Sequence, residues 1–455
     1  MTSNSPHPAT PPALGPHPTV SEVFASDVVG PSPTLAAHEW VDQGDGDVDR
    51  TRYWSADWHR LEMERVWRRV WQVACREEDI PRPGDHVVYE VGEESLIVVR
   101  TASKEVKAFY NSCLHRGREL REEGGRVARF VCPFHGWTWD LDGTLAQIPA
   151  QWDFRHVDPS TFCLPQAHVD TWGGFVFVNM DAEPEPLLRY LDPLPAEFAE
   201  HPLEERYKAA HVRKLLPCNW KVALEAFAEA YHVVRTHPQG RAFSGDLNSQ
   251  YVLWPGARHV SRMITLLGVP SPDLRAVSDE SIIEVLRPKG ATLERRPDES
   301  PRQYAARLHR AHYARKMRAD LSGFSDAEIL DAIQYHVFPN FSPWAGIGQP
   351  ITYLWRPYGD DPGTSVMDVM LLQPLPDGGE RPEPAPVHLL GMDEPWSCAP
   401  ELGKYTAIFE QDSGNFAQLQ RGVRHGRKGN TYAVYQESKI RHFHRTLDAY
   451  MAARA

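Results

Sequence analysis

Residues 111–120 read NSCLHRGREL, and residues 132–143 read CPFHGWTWDLDG. The first segment holds Cys113-x-His115 and the second Cys132-x-x-His135. Two loops that each pair a thiolate with an imidazole can close on one metal centre when they face each other. Structural zinc modules usually take four thiolates, or keep their Cys and His pairs apart. Alternating Cys and His suits a [2Fe–2S] cluster, with two thiolates on one iron and two imidazoles on the other. Neutral imidazoles make the oxidised cluster less negative, so it accepts an electron more easily. Pro133 and Gly136 permit tight loops around it, and Trp137 and Trp139 can shield it. A structural zinc site is the alternative reading. Cys75, Cys163, Cys218 and Cys398 lack ligand spacing and read as buried small hydrophobes.

The surroundings are β-rich. DHVVYEV, SLIVVR, VKAFY, ARFVC and GGFVFVN are short β-branched and aromatic runs separated by turn residues. Asp142-Gly143 predicts a hairpin. These runs place a small all-β domain at residues 69–180. Before it, Trp54, Trp58, Leu61, Met63, Val66, Trp67 and Val70 recur at helical steps and predict an N-terminal helix over 48–68, packing on the larger domain. Residues 1–47 are rich in Pro, Ser, Ala and Thr and read as a disordered, mobile tail. Residues 181–455 mix strands (HVRKLL, PITYLWRP, SVMDVMLLQPL) with helices at 298–321 and 430–455. The fold class expected is α+β with a mostly antiparallel sheet.

The whole chain bounds the function. It has 455 residues, enough for two or three domains. With 42% hydrophobic residues, wholesale disorder is excluded. The net charge of −12 disfavours a nucleic-acid binder. No apolar run is long enough to span a membrane, and MTSNSPHPATPP shows no secretory signal. Six Cys are too few for a disulfide scaffold, so a reducing cytoplasm is expected. No GxGxxG follows a strand, so the chain is not expected to take hydride from a nicotinamide itself.

A second motif is NWKVALEAFAEAYHVVRTHP, Asn219 to Pro238. On a helical wheel Trp220, Leu224, Phe227 and Tyr231 share one side, and Glu225, Glu229 and His232 share the other. His232 and His237 lie about 140° apart on a regular helix, too far to meet one metal. Pro238 pushes His237 out of helical geometry, so the helix should end between them and let both imidazoles converge. A 2-His-1-carboxylate site also needs an acid. In KYTAIFEQDSGNFAQLQRG, Tyr405, Phe409, Phe416 and Leu419 form an apolar seam that encloses Asp412. A buried carboxylate needs a cation, which a metal or an Arg or Lys partner would supply. Glu410 is the rival ligand. His442 and His444 read as surface residues, and His211, His336 and His425 as structural ones.

The two motifs together resemble the Rieske non-haem iron oxygenases, the large (alpha) subunits of ring-hydroxylating dioxygenases. The matching residues are NSCLHRG, CPFHGWTWDLDG, the Glu229-x-x-His232-x4-His237 pattern and the downstream Glu410-x-Asp412. The resemblance runs from about residue 50 to the C-terminus. It implies a Rieske domain holding [2Fe–2S] through Cys113, His115, Cys132 and His135. It also implies a catalytic domain of helix-grip (START-like) form, binding mononuclear Fe(II) through His232, His237 and Asp412. Glu229 would bridge His232 to His135 of another subunit for electron transfer; its alternative is a solvated helix carboxylate. O₂ would be co-substrate, and NAD(P)H would act only indirectly, through a separate reductase with or without a ferredoxin. A homotrimer is implied, with or without a small beta subunit. The reaction implied is hydroxylation, in particular dihydroxylation, of an aromatic or other hydrophobic ring, as in aromatic hydrocarbon catabolism. Phe227, Val233, Phe338, Phe341 and Trp344 are the candidate pocket walls. Two departures stand out: Glu229 where most ring-hydroxylating members have Asp, and Ala226 where many have Asn. Members acting on quaternary amines also carry Glu there, so monooxygenation or demethylation of a quaternary amine, methoxy or N-methyl compound is the alternative. A non-enzymatic electron carrier and a structural zinc protein are the non-oxygenase readings.

Overall fold

The β-branched runs read from the sequence are strands in the computed structural model, which describes residues 17–375 and 380–453. One antiparallel sheet of seven strands runs in the order Gln72–Arg76, Phe175–Asn179, Gln166–Trp172, Val106–Tyr110, Glu94–Arg100, Asp85–Val91 and Gly125–Arg126. A second, three-stranded sheet joins Phe130–Val131, Thr138–Trp139 and Leu145–Gln147. The turn in its second hairpin is at Asp142-Gly143, with Gly143 at φ 88°. Ile97, Val99, Phe109, Phe130, Trp137 and Trp139 interlock in one buried core with Cys113 and Cys132. The small unit they build covers Arg60–Tyr190 together with Pro357–Asp360. Its limits lie outside the expected 69 and 180. The predicted helix over 48–68 is divided accordingly. It is a 3-10 turn, Arg50–Tyr53, then a helix, Ala56–Glu62, that widens into a π turn, Met63–Trp67.

The larger unit is built on an eight-stranded sheet. Its order is Gln250–Val252, Val260–Thr265, Ala332–Val337, Phe341–Ala345, Ile351–Pro357, Ser365–Pro374, Arg206–Leu216 and His388–Leu390. The strands from Gln250–Val252 through Ile351–Pro357 pair antiparallel in turn, as do Ser365–Pro374 and Arg206–Leu216, whereas His388–Leu390 runs parallel to Arg206–Leu216. The principal helices are Pro301–Met317, Tyr405–Ser413, Phe416–His425 and Ser438–Ala452. This is the α+β class expected.

Four expectations change. Residues 1–16 lie outside the described residues, but 17–47 are not a loose tail. Thr19 and Glu22 close a reciprocal capping box on the helix Val20–Ser26. Val20, Val23, Phe24, Leu35, Trp40 and Val41 are buried. Asp27 is paired with the buried Arg302. Averaged composition hid a few anchors that are each specific. Second, the C-terminal helix begins at Ser438 and not near 430, because Glu437 turns back to accept the Ala433 N–H. On it, His444 is buried and contacts Glu225 and Tyr53. Third, Cys163 and Cys398 are exposed, and Cys75 is half-buried. Fourth, His425 is exposed.

Candidate metal centres

The two Cys/His loops have one backbone design. The Cys113 N–H donates to Arg118 O and the Gly117 N–H to Cys113 O; the Cys132 N–H donates to Trp137 O and the Gly136 N–H to Cys132 O. Gly117 and Gly136 sit at φ 76° and 75°, left-handed positions that favour glycine. Each loop thus folds back four residues after its cysteine. Both thiols are buried, His115 is half-buried and His135 is exposed. The two imidazole rings are 4.5 Å apart, and His115 stacks on Trp137 at 5.0 Å. Burial pushes the Cys113 thiol above its ordinary pKa; the His115 N–H opposes this and the adjacent Cys132 thiol adds to it. A close pair of buried thiols and a close pair of outer imidazoles is the donor set of a Rieske cluster. Among the described residues, this set lacks the tight spacing of a single-ion site.

The second site departs from the expected continuous helix. The segment after Asn219 forms a helix only over Trp220–Glu225, and then a single turn at Val233–Thr236. Ala-rich LEAFAEAYHVV has ample helix propensity, but tertiary partners override it. The Ala230 N–H goes to the Tyr251 hydroxyl (3.2 Å), and the His232 N–H goes to Glu229 Oε2 (2.9 Å). Tyr231, expected on the packed face, is exposed. His237, at φ −122°, leaves the turn.

The break lets both imidazoles converge. His232 Nδ1 is 2.7 Å from Glu229 Oε1, and His237 Nδ1 is 2.8 Å from Gln411 Oε1. With each Nδ1 donating its proton, each Nε2 presents a lone pair. Those nitrogens lie 3.5 and 2.8 Å from Asp412 Oδ1. All three ligand atoms fall within 4.8 Å of one another, the sole such group among the described residues. Asp412 is buried, and its Oδ1 has no hydrogen-bond partner. Burial presses the His232 imidazole pKa down, but the charge and hydrogen bond of Glu229, then the Asp412 charge, hold it above the ordinary value. Two lone pairs and an orphaned carboxylate oxygen aimed at one point fit a divalent cation with open positions.

Glu410 is not part of this site: it is exposed and accepts the Trp396 N–H. Leu419 is exposed, so the seam is Tyr405, Phe409, Asp412 and Phe416. Phe227 packs on Tyr353, Trp355 and Phe409, and Trp344 meets Tyr353 edge-on. Burial, then the nearby Asp412 charge, raises the Tyr353 phenol well above its ordinary pKa. Val233 adjoins His232 and is half-buried. Phe341 is buried in its strand. Phe338 stacks instead on Tyr450 of the C-terminal helix. His211 pairs with Asp368, as a structural histidine would, whereas His336 meets Ser342 through Nδ1 and its Nε2 has no partner. Gln411 and Tyr251 were not singled out in the sequence. Gln411 had one available signal, its place beside Asp412.

Two family models match the chain. The Rieske [2Fe-2S] domain matches residues 70–159, and the ring hydroxylating alpha subunit (catalytic domain) matches 201–453. Biphenyl 2,3-dioxygenase subunit alpha from Rhodococcus jostii is 33% identical over 207 residues, 44% of this chain and 45% of that protein. The glycine betaine monooxygenase oxygenase subunit from Pseudomonas aeruginosa is 30% identical over 184 residues, 39% and 42% of the two chains. The chain spans under half the length of these curated relatives. A solved quaternary ammonium Rieske monooxygenase shares the fold, with TM-score 0.63 and 18% identity over 89% of this chain and 95% of that one.

Proposed function

Because the chain belongs to the ring-hydroxylating alpha-subunit family and carries a Rieske [2Fe–2S] domain in the same polypeptide, we propose that it is a terminal oxygenase component. It would use O₂ and externally supplied electrons to hydroxylate an aromatic or other hydrophobic ring. The observation that carries this reading is the convergence of His232, His237 and Asp412 within 4.8 Å. When bound, the cluster supplies electrons singly and the ferrous ion supplies the site of O₂ reduction.

The chain's own residues divide the remaining work. Cys113 and Cys132 would hold one iron of the cluster, and His115 and His135 the other. Glu229 and Gln411 hold the two imidazoles in the tautomer that leaves Nε2 free to ligate. Glu229, hydrogen-bonded to His232, would also bridge that imidazole to His135 of a neighbouring copy of the chain, along the path of electron transfer between the two centres. Phe227, Tyr353 and Phe409 keep water from the Asp412 side. A reductase, with or without a ferredoxin, would deliver the electrons, and a homotrimer would bring the two kinds of centre together. The Glu at position 229 and the glycine betaine monooxygenase relative favour a second reading, monooxygenation or demethylation of a quaternary amine.

Metal analysis with labelled oxygen tests the proposal. The protein as isolated should hold about three irons and about two sulfides per chain. Asp412→Ala should lose about one iron and all ¹⁸O incorporation, while the visible spectrum of the cluster persists. Turnover by that variant would overturn the triad.

A further inference from the structure

The face of the large sheet turned toward the metal-ligand residues carries a polar group that the triad does not use. Tyr251, Met263, Gln334 and Trp344 are consecutive cross-strand partners. Directly opposed residues on antiparallel strands point to the same face, so the four form one row. At one end the Tyr251 hydroxyl holds the Ala230 N–H, two residues before His232. Met263 shares a packed cluster with Ala230 and Val233, on either side of that histidine. At the other end Trp344 meets Tyr353, beside Asp412. Gln334 is inside this row, and Lys439 of the C-terminal helix donates to its Oε1 at 2.7 Å.

That lysine is unusual. It is 1% exposed, and its recorded partner is a neutral amide. Burial lowers its pKa to about 7. His336, 4% exposed and two residues along the strand from Gln334, adds a second orphan. Its Nδ1 meets the Ser342 hydroxyl at 3.0 Å, and its Nε2 has no partner. Burial, then the Lys439 charge, drives its pKa well below the ordinary value, so the ring is neutral and close to that lysine. When Nδ1 accepts from Ser342, Nε2 carries a proton with no acceptor. A buried ammonium held by the Gln334 amide oxygen and an imidazole N–H without an acceptor thus share one face, and among the described residues no acid is hydrogen-bonded to either.

We propose that Lys439, Gln334 and His336 form an anion anchor that binds the carboxylate of the substrate and sets the rest of the molecule against the Trp344 side, toward the metal site. The inference rests on the oxygenase reading for what happens to the bound molecule, but not for the binding itself. The substrate is then a carboxylate-bearing compound, not an unsubstituted arene. Two sources share this chemistry, an aromatic acid and a carboxylated quaternary amine.

Calorimetric titration of the anaerobic holoenzyme separates them. The probes are benzoate and 2-naphthoate against benzamide and 2-naphthamide, and glycine betaine against tetramethylammonium. At least one acid should bind about tenfold or more tightly than its counterpart without the carboxylate. Lys439→Met should bring that ratio close to one, with iron, sulfide and melting temperature retained. Gln334→Leu should weaken the acid several-fold and leave the neutral compound unchanged; it decides the matter if Lys439→Met does not fold. The anchor is overturned if no acid outbinds its counterpart, or if a folded Lys439→Met keeps the preference. A protein that binds the acid but incorporates no labelled oxygen refutes the oxygenase reading and leaves the anchor standing. One that oxygenates arenes and binds their acids no better does the reverse.

Discussion

Gln411 shows how much of a metal site is carried by residues that never touch the metal. Its amide oxygen accepts a hydrogen bond from the His237 Nδ1–H, and Gln239 braces it through two hydrogen bonds of 2.7 and 3.2 Å. Without that acceptor the imidazole is free to rotate or to switch tautomer, and Nε2 loses its aim. Gln411→Leu is therefore expected to weaken iron binding about 10- to 100-fold. Competition with a ferrous chelator measures this, and Gln411→Glu, which keeps the acceptor, should lose much less. Retention of full affinity by the Leu variant would show the contact to be incidental. At this scale the candidate ligands were legible: Cys113, His115, Cys132, His135, His232 and His237 stand at spacings that few other chemistries need. Asp412 was legible only as a polar gap in an apolar seam. Gln411 was not, because a glutamine beside an acid on a helix carries no signature until the fold brings His237 to it.

Elements record the competition between local propensity and tertiary partners. The stretch after Glu225 would be helix on composition alone, and it breaks because Tyr251 and Glu229 capture two of its N–H groups. The N-terminal helix is the converse case, a short element in a Pro-rich region that tertiary partners hold in place. Arg302, 3% exposed, spans Asp27 at its C-terminal cap and Asp331 before the strand Ala332–Val337. Burial pushes the Asp331 carboxyl up to about 6 even though Arg302 acts to lower it. Removing the guanidinium would leave two buried acids unpaired. Arg302→Ala should cost about 3–5 kcal/mol in denaturant unfolding. It should also open residues 19–41 to limited proteolysis. A loss within about 0.5 kcal/mol, typical of an ordinary surface change, would mean that the segment is anchored by its apolar residues instead.

At the scale of the molecule, two redox-capable centres stand in one chain that has no recognisable nicotinamide site. NADH alone should leave the visible spectrum of the oxidised cluster unchanged under anaerobic conditions, and bleaching should require an added reductase or reductase–ferredoxin pair. Direct bleaching by NADH would reveal a dinucleotide site the sequence does not announce. No described helix is long and apolar enough to cross a membrane. The sequence by itself determined the identity of the cluster loops, the β-rich small unit and the antiparallel sheet. Those depend on residue spacing and period-two patterning, which are local properties. Only the tertiary structure decided where the helices stop, which polar neighbours orient each ligand, and that a buried lysine shares a sheet face with the metal-site residues. Each of these pairs residues far apart in sequence, such as Gln334 with Lys439 and His237 with Gln411, and a one-dimensional pattern does not encode such a meeting.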